Sequence, residues 1–206
     1  MDLEALVVTS WWMMLPLVIL GSLLHFVYDW SGHKKLAAIF GAVNESYWEH
    51  IKIAVWPVVL LQVVLFALGG YRESSFVPAA TVALYSIPIS MIGLVFLYKS
   101  FTRRNILWID ISVFALIIVC AQVLFVQILR ELTPSTLTIA LSTVFLVGLL
   151  ASFLLFTMRP PAEPDVFIDP LTSKHGLPGH AQDFEAHLRG EDRPSTRAQE
   201  PDVNDS

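Results

Sequence analysis

The chain reads Asn44-Glu45-Ser46-Tyr47-Trp48-Glu49-His50 directly before a mainly apolar run at residues 51–69. Ser46 followed three residues later by Glu49 matches a capping box, in which a hydroxyl and a carboxylate each bond a backbone N–H at a helix start. The pattern therefore predicts a helix that begins near Ser46. The run is close to the ~20 residues that the hydrocarbon core of a bilayer requires. This helix is predicted to cross a membrane, with its polar residues at one interface.

The composition of the whole chain also predicts a membrane protein. Of its 206 residues, 55% are hydrophobic and only 15% are charged, and the mean hydropathy is +0.62. A soluble domain with a solvated face is less apolar. The predicted fold class is an all-α integral membrane bundle of five transmembrane helices within residues 1–158. The five predicted spans cover about residues 11–30, 51–69, 76–98, 106–129 and 137–158.

The distribution of Lys and Arg predicts the orientation. The segment before the first span has none, and the four following loops have three, one, three and one. Cytoplasmic loops carry the excess of positive charge, so the N-terminus is predicted outside and the C-terminal tail in the cytoplasm. Acidic Asp2 and Glu4 precede the first run, which is therefore expected to remain as a helix and not to be removed as a signal peptide.

Residues 159–206 differ from the rest of the chain. They hold ten acidic against five basic residues and seven of the twelve prolines, whereas residues 1–158 hold eight of each charge. Neither part has the basic surface that a nucleic-acid partner requires. Because apolar side chains occur among its first prolines, the tail is predicted to be partly ordered to about residue 178 and disordered beyond. One hypothesis is that it folds back and brings Asp169 or His175 to the cytoplasmic mouth; a plain linker is the alternative.

Five ionisable residues are predicted at one depth, on the cytoplasmic side: His25, Asp29, Glu49, His50 and Asp110. Ionisable residues at membrane depth are costly and usually face the bundle interior, so several together indicate a shared site. Imidazoles and carboxylates suit a divalent metal such as zinc. One hypothesis is a metal-dependent hydrolase or transferase acting on a lipid or lipid-linked substrate. Its ligands would be the two histidines with Asp29 or Asp110, and Glu49 would be the general base.

Further polar and aromatic residues near these ligands are predicted to belong to the binding site. They are Tyr28, Asn44, Glu45, Ser46, Trp48 and Lys52.

Each candidate also has a structural interpretation. Glu49 could close the capping box, His25 and Asp29 could form a mutually satisfied pair, and Asp110 could be an interfacial helix-start charge. Trp48 could be an interface anchor. The second functional hypothesis is therefore a non-catalytic membrane protein, such as a small-solute binder, a permease component or a partner of a membrane complex. The sequence leaves open whether the protein is an enzyme.

Two patterns accompany the Asn44–Lys52 segment: His25-x-x-Tyr28 before it and Asp169-Pro170-Leu171-Thr172 to Gly176 after it. With them the chain resembles, over most of residues 20–178, a family of small prokaryotic multipass membrane proteins labelled as a domain of unknown function. The resemblance implies this helical architecture and a location in the prokaryotic cytoplasmic membrane, and it implies no activity. Family members commonly have proline before the Asn-Glu-Ser sequence and tyrosine before the tail glycine. This chain has Ala42-Val43 and His175 there.

Overall fold

The computed structural model describes residues 1–102, 106–159, 161 and 165–169. Over these residues the chain is all-α, as predicted. The α-helices are α1 (Leu3–Trp12), α2 (Met14–Trp30), α3 (Lys35–Phe40), α4 (Tyr47–Ala67), α5 (Phe76–Thr102), α6 (Leu107–Glu131) and α7 (Thr136–Met158). Two 3₁₀ turns cover Gly70–Arg72 and Asp165–Phe167.

Four helices, α4 to α7, are long and apolar enough to cross a membrane. A fifth span exists if α1 and α2, which meet at an angle of 50°, are counted as one broken span. The predicted count of five therefore agrees with the structure when the bent pair is one crossing. The first span starts earlier than predicted, at Leu3, because the side chain of Asp2 accepts a hydrogen bond from the N–H of Ala5 at 2.8 Å and caps the helix.

The break in the first span has a local cause. Pro16, in the first turn of α2, has no N–H to offer the carbonyl of Trp12, and its ring crowds that carbonyl. The hydroxyls of Thr9 and Ser10 bond the carbonyls one turn before them, at 2.7 and 2.9 Å. Such back-bonding favours bending of a helix, which agrees with the break that follows.

The ends of the helices meet at two opposite ends of the bundle. At one end the amino group of Met1 donates to the carbonyl of Leu68, and Arg130 bonds Glu4 at 2.7 Å. These contacts join the start of α1 to the ends of α4 and α6. At the other end the ring of Trp48 stacks on Phe153, near the end of α7, with 4.8 Å between centroids. The two ends of the described chain therefore lie at opposite ends of the bundle.

Helix α4 is the centre of the packing. Of its most apolar stretch, 56% is buried inside the protein, against 11% for α7. Pro57 lies inside α4 without ending it, because a membrane helix tolerates such a break when neighbours cover it. Helix α4 is thus the most buried of the four long helices.

The short helix α3 lies in the connection between α2 and α4, and side chains of α4 fix it. Lys52 donates to the carbonyl of Ala38 at 2.7 Å, and Trp56, one turn further along, donates to the carbonyl of Ile39 at 2.8 Å. These carbonyls belong to the last turn of α3, where the helix itself offers no partner. Two residues on one face of α4 therefore hold α3 in place.

Gly41 lets the loop after α3 approach α2. A Cβ at this position would lie 2.9 Å from the carbonyl oxygen of Leu24 and 3.2 Å from the nitrogen of Tyr28. The next N–H, of Ala42, bonds that same Leu24 oxygen at 3.2 Å. The neighbours of Gly41 are backbone atoms, which cannot rotate away as a side chain can. Residue 41 must therefore be small for the loop to stay against α2.

We predict that Gly41→Ala destabilises the fold by about 1–3 kcal/mol, the usual cost of overpacking. The matched control is Gly148→Ala in α7, where nothing lies within 4 Å of an added Cβ. This change should stabilise by about 0.5–1 kcal/mol because alanine loses less conformational entropy in a helix. Unfolding of both variants in detergent measures the difference. Equal stabilities would show that the close approach at Gly41 does not constrain the fold.

Candidate functional site

Three potential metal ligands converge where α2 ends and α4 begins. They are His25 of α2, His50 of α4 and Glu45 of the loop before α4, with ligand atoms all within 4.8 Å of one another. The Nε2 atom of His25 lies 3.4 Å from one carboxylate oxygen of Glu45, and the Nε2 atom of His50 lies 3.6 Å from the other. We call these three residues the histidine–glutamate group.

The loop holds Glu45 in place through bonds of its two neighbours. The side-chain oxygen of Asn44 accepts a hydrogen bond from the N–H of Ser46 at 2.9 Å. The hydroxyl of Ser46 in turn accepts from the N–H of Glu49 at 3.4 Å and caps α4. Asn44 and Ser46 are both buried. Glu45, between two anchored residues, is therefore fixed at the helix entry.

The predicted capping box is half correct. The Ser46 hydroxyl caps α4 as expected, but the carboxylate of Glu49 does not return to the N–H of Ser46. It accepts instead from the N–H of Val43 at 2.9 Å and pairs with Lys52 at 2.5 Å. Asn44 takes the position in the box that Glu49 was predicted to fill. The expectation failed because a buried ammonium group is a stronger partner for a carboxylate than one amide.

The Glu49–Lys52 ion pair is buried, with side chains 4% and 0% exposed. Its two members bond the backbone of residues 43 and 38, on either side of the Gly41 turn. The pair therefore ties α3 and the following loop to α4. Glu49 has two donors on its carboxylate, and its predicted role as general base stays a prediction.

A backbone bond fixes the orientation of the His50 ring. Its Nδ1 atom lies 2.9 Å from the carbonyl oxygen of Ser46, one turn earlier. A carbonyl oxygen can only accept, so Nδ1 carries the proton. In neutral imidazole the Nε2 atom is then unprotonated, and this is the atom that faces Glu45. Metal-bound histidines are oriented by the same kind of bond from the other ring nitrogen.

Glu45 is ionised, and the three side chains of the group are accessible to solvent. A hydrogen bond from His25 lowers the pKa of Glu45 below its ordinary value, so the carboxylate is charged at neutral pH. The side chains of His25, Glu45 and His50 are 30%, 41% and 31% exposed. A solvent molecule or a small group of a substrate can therefore reach the histidine–glutamate group.

Two predicted ligands lie with other partners. Asp29 is 3.5 Å from His33, one turn further along the chain, and the Nε2 atom of His25 lies beside Glu45. Asp110, at the start of α6, accepts a hydrogen bond from the hydroxyl of Tyr98 at the end of α5. Neither aspartate belongs to the histidine–glutamate group. Helical spacing placed Asp29 on the same face as His25. The carboxylate that lies 3.4 Å from the Nε2 atom of His25 is that of Glu45, which comes from the loop before α4.

The remaining predicted binding residues surround the group without joining it. Tyr28 is buried, with its ring centroid 5.2 Å from that of His33. Trp48 packs between Phe153 of α7 and Phe167, whose ring centroids lie 4.8 and 4.9 Å away. Trp48 therefore lies among aromatic rings of the protein. Asn44, Ser46 and Lys52 hold the backbone, as described above.

Part of the tail reaches the same end of the bundle. Phe167 is buried against Trp48 and also contacts Phe156, with ring centroids 5.5 Å apart. Asp169, two residues later, is fully buried. His175, the other tail residue considered as a ligand, lies outside the described residues.

These observations define a class of protein. Over the described residues the chain is an all-α bundle with a histidine–glutamate group at one end. Four of its helices there, or five spans if the bent pair counts as one, are long and apolar enough to cross a membrane. It belongs to DUF6512, a family of unknown function, whose model matches residues 1–177. No curated protein and no solved structure matches the chain. Its function must therefore be argued from the group itself.

We predict that Lys52→Met destabilises the protein by about 3–5 kcal/mol, because it leaves the carboxylate of Glu49 buried without its partner. The double variant Lys52→Met/Glu49→Leu should recover a large part of this loss, since no charge then remains buried. Unfolding in detergent of both variants beside wild type measures the effect. A double variant less stable than Lys52→Met would contradict the buried-pair interpretation.

Proposed function

We propose that His25, Glu45 and His50 bind a divalent metal ion, zinc in the first instance, and that the protein is a membrane-embedded hydrolase or transferase acting on a lipid or lipid-linked substrate. The proposed ligand set replaces Asp29 and Asp110 by Glu45. Glu49 would have to leave Lys52 to serve as general base, so we assign it the role of positioning the loop.

The observation that carries the proposal is the hydrogen bond of His50. With the proton on Nδ1, the Nε2 lone pair points toward a carboxylate oxygen 3.6 Å away. Two acceptors facing each other repel unless a cation lies between them. A metal ion bound between them would supply that cation, and a proton on Nε2 is the alternative.

The separations fit the coordination geometry of zinc. Bonds of about 2.0–2.1 Å in a tetrahedral site place neighbouring ligand atoms about 3.3–3.4 Å apart. The two nitrogen–oxygen distances to Glu45 are 3.4 and 3.6 Å. They run to different oxygens of Glu45, and the ligand atoms of all three residues lie within 4.8 Å of one another, so a bound ion would draw them closer together.

Two histidines and one glutamate are a ligand set of catalytic zinc sites, in which the fourth position is left for water or substrate. A metal in such a site lowers the pKa of bound water and polarises a carbonyl or phosphoryl oxygen. The partial exposure of His25, Glu45 and His50 leaves room for that fourth ligand. Ester and phosphodiester bonds are suitable targets for this chemistry.

The position of the group supports a lipid substrate. His50 lies in the first turn of a helix long enough to cross a membrane, and His25 lies near the end of another. Lipid head groups and ester bonds are found at this depth. The distribution of Lys and Arg favours the cytoplasmic face of a prokaryotic membrane for this end of the bundle.

One observation favours the non-catalytic alternative. Glu45 lies within 3.6 Å of both histidines, so with a protonated imidazole the three side chains satisfy one another without a metal. In that case the group ties α2 to α4 and has a structural role only. Metal content decides between the two.

We predict that purified wild-type protein holds close to one equivalent of zinc or another divalent metal, and that His25→Ala, His50→Ala and Glu45→Gln lose it. Elemental analysis of the detergent-purified full chain measures the content. The matched control is His33→Ala, a half-exposed histidine that pairs with Asp29 outside the group and should keep the metal. A wild-type protein that takes up no zinc, manganese or iron on titration, and whose three variants are merely less stable, supports the structural alternative.

The enzymatic part of the proposal needs its own measurement. Metal-loaded protein should release a fatty acid, a lysolipid or a free head group from phospholipids in mixed micelles, detected by mass spectrometry. Glu45→Gln should abolish the release, and His33→Ala should preserve it. Metal binding without any release from neutral or anionic lipids would retain the metal site and reject the hydrolase.

A further inference from the structure

Two buried glutamines lie far from the histidine–glutamate group. Gln62 of α4 is 5% exposed and Gln122 of α6 is 1% exposed. The Nε2 atoms of both, and the Oε1 atom of Gln122, have no hydrogen-bond partner among the described residues. Buried polar atoms nearly always have a partner, and an exception calls for an explanation. Both lie inside helices apolar enough to cross a membrane, where a polar atom without a partner is especially unfavourable.

An aromatic stack places the two glutamines at one depth. The ring of Phe76 contacts Phe66 of α4 and Phe125 of α6, with centroids 5.5 and 5.3 Å apart. Gln62 precedes Phe66 by four residues, and Gln122 precedes Phe125 by three. Helices α4 and α6 run in the same direction, so each glutamine lies about one turn deeper than the stack.

Small side chains of α5 occupy the same level. One turn after Phe76, the buried residues are Ala79 and Ala80, 0% and 3% exposed. Alanine covers less of the space between two neighbouring helices than the large aliphatic residues elsewhere in this core. Gln62 and Gln122 thus lie near the helix faces that carry Phe66 and Phe125, one turn deeper than the aromatic stack and at the level of these two alanines.

We propose that Gln62 and Gln122 share one small polar ligand of the size and chemistry of water, which bridges α4 and α6 inside the bundle. Water can accept from the amide N–H groups of both residues and donate to the Oε1 atom of Gln122, which matches the three atoms that need partners. A charged ligand is disfavoured because the buried charged residues of the described chain, Glu49, Lys52 and Asp169, lie toward the other end of the bundle. The site is separate from the proposed metal site: Gln62 lies twelve residues beyond His50 on α4, about 18 Å along the axis.

A double-mutant cycle on the full chain in detergent tests the sharing. Methionine keeps the size of glutamine and removes its polar atoms. Gln62→Met and Gln122→Met should each lower the melting temperature, because the remaining carboxamide loses part of its hydrogen bonding. The double variant should melt no lower than the less stable single variant, because no polar atom is then left to satisfy. Gln127→Met, at an exposed position of the same helix, is the control and should add independently to both.

Single variants that both melt higher than wild type would overturn the proposal, since they would show carboxamides without any ligand. Strictly additive losses would overturn it as well, because the two residues would then act separately.

Magnetisation transfer from water identifies the ligand directly. In protein labelled with ¹⁵N-glutamine, the side-chain amide of Gln122 should show a cross-peak to water in spite of its burial, and Gln62→Met should remove or strongly weaken it. Absence of the water cross-peak in wild type, or cross-peaks to detergent chains in its place, would refute a bound water.

Discussion

The ion pair between Glu49 and Lys52 is the interaction on which the end of the bundle that carries the histidine–glutamate group depends. Lys52 is fully buried, so its charge requires a close partner, and Glu49 supplies it at 2.5 Å. Each member uses its remaining capacity on backbone that no helix satisfies, the carbonyl of Ala38 and the N–H of Val43. Because these atoms lie on either side of the turn at Gly41, one pair holds both arms of that turn against α4.

The histidine–glutamate group follows from this constraint. With the turn held, Asn44 and Ser46 form the hydrogen bonds that start α4. The side chain of Glu45, between them, extends toward His25 of α2. The contact of Gly41 with α2 brings the last two turns of that helix beside the loop, and these turns carry His25. His50 lies in the first turn of α4, so the start of that helix is enough to position it. The three side chains thus meet because the backbone around them is fixed by buried polar groups, and loss of the pair would loosen all three together.

The sequence predicts the parts of this arrangement that depend on local pattern. The lengths of the apolar runs predicted four spans whose bounds lie within a few residues of α4 to α7, and Ser46 marked the start of α4. The histidines were recognised because ionisable residues at membrane depth are rare. Periodicity could not show that Glu45 reaches back to both histidines, since it lies in a loop whose direction depends on Glu49, Lys52 and Gly41. The same limit applies to α1, where a single capping residue, Asp2, extends the first span by a full helix beyond the apolar run.

The polar side chains at this end of the bundle differ in how fully hydrogen bonds and ion pairs satisfy them, and the difference bears on function. Lys52 and Glu49 bond each other and the backbone, so their charged groups serve to stabilise the fold. In His50 the Nδ1 atom bonds the backbone carbonyl of Ser46, while the Nε2 atom faces a carboxylate oxygen of Glu45. The backbone therefore satisfies only one of the two ring nitrogens. The Nε2 atom, in a group open to solvent, is therefore the position at which the proposed metal ion would bind.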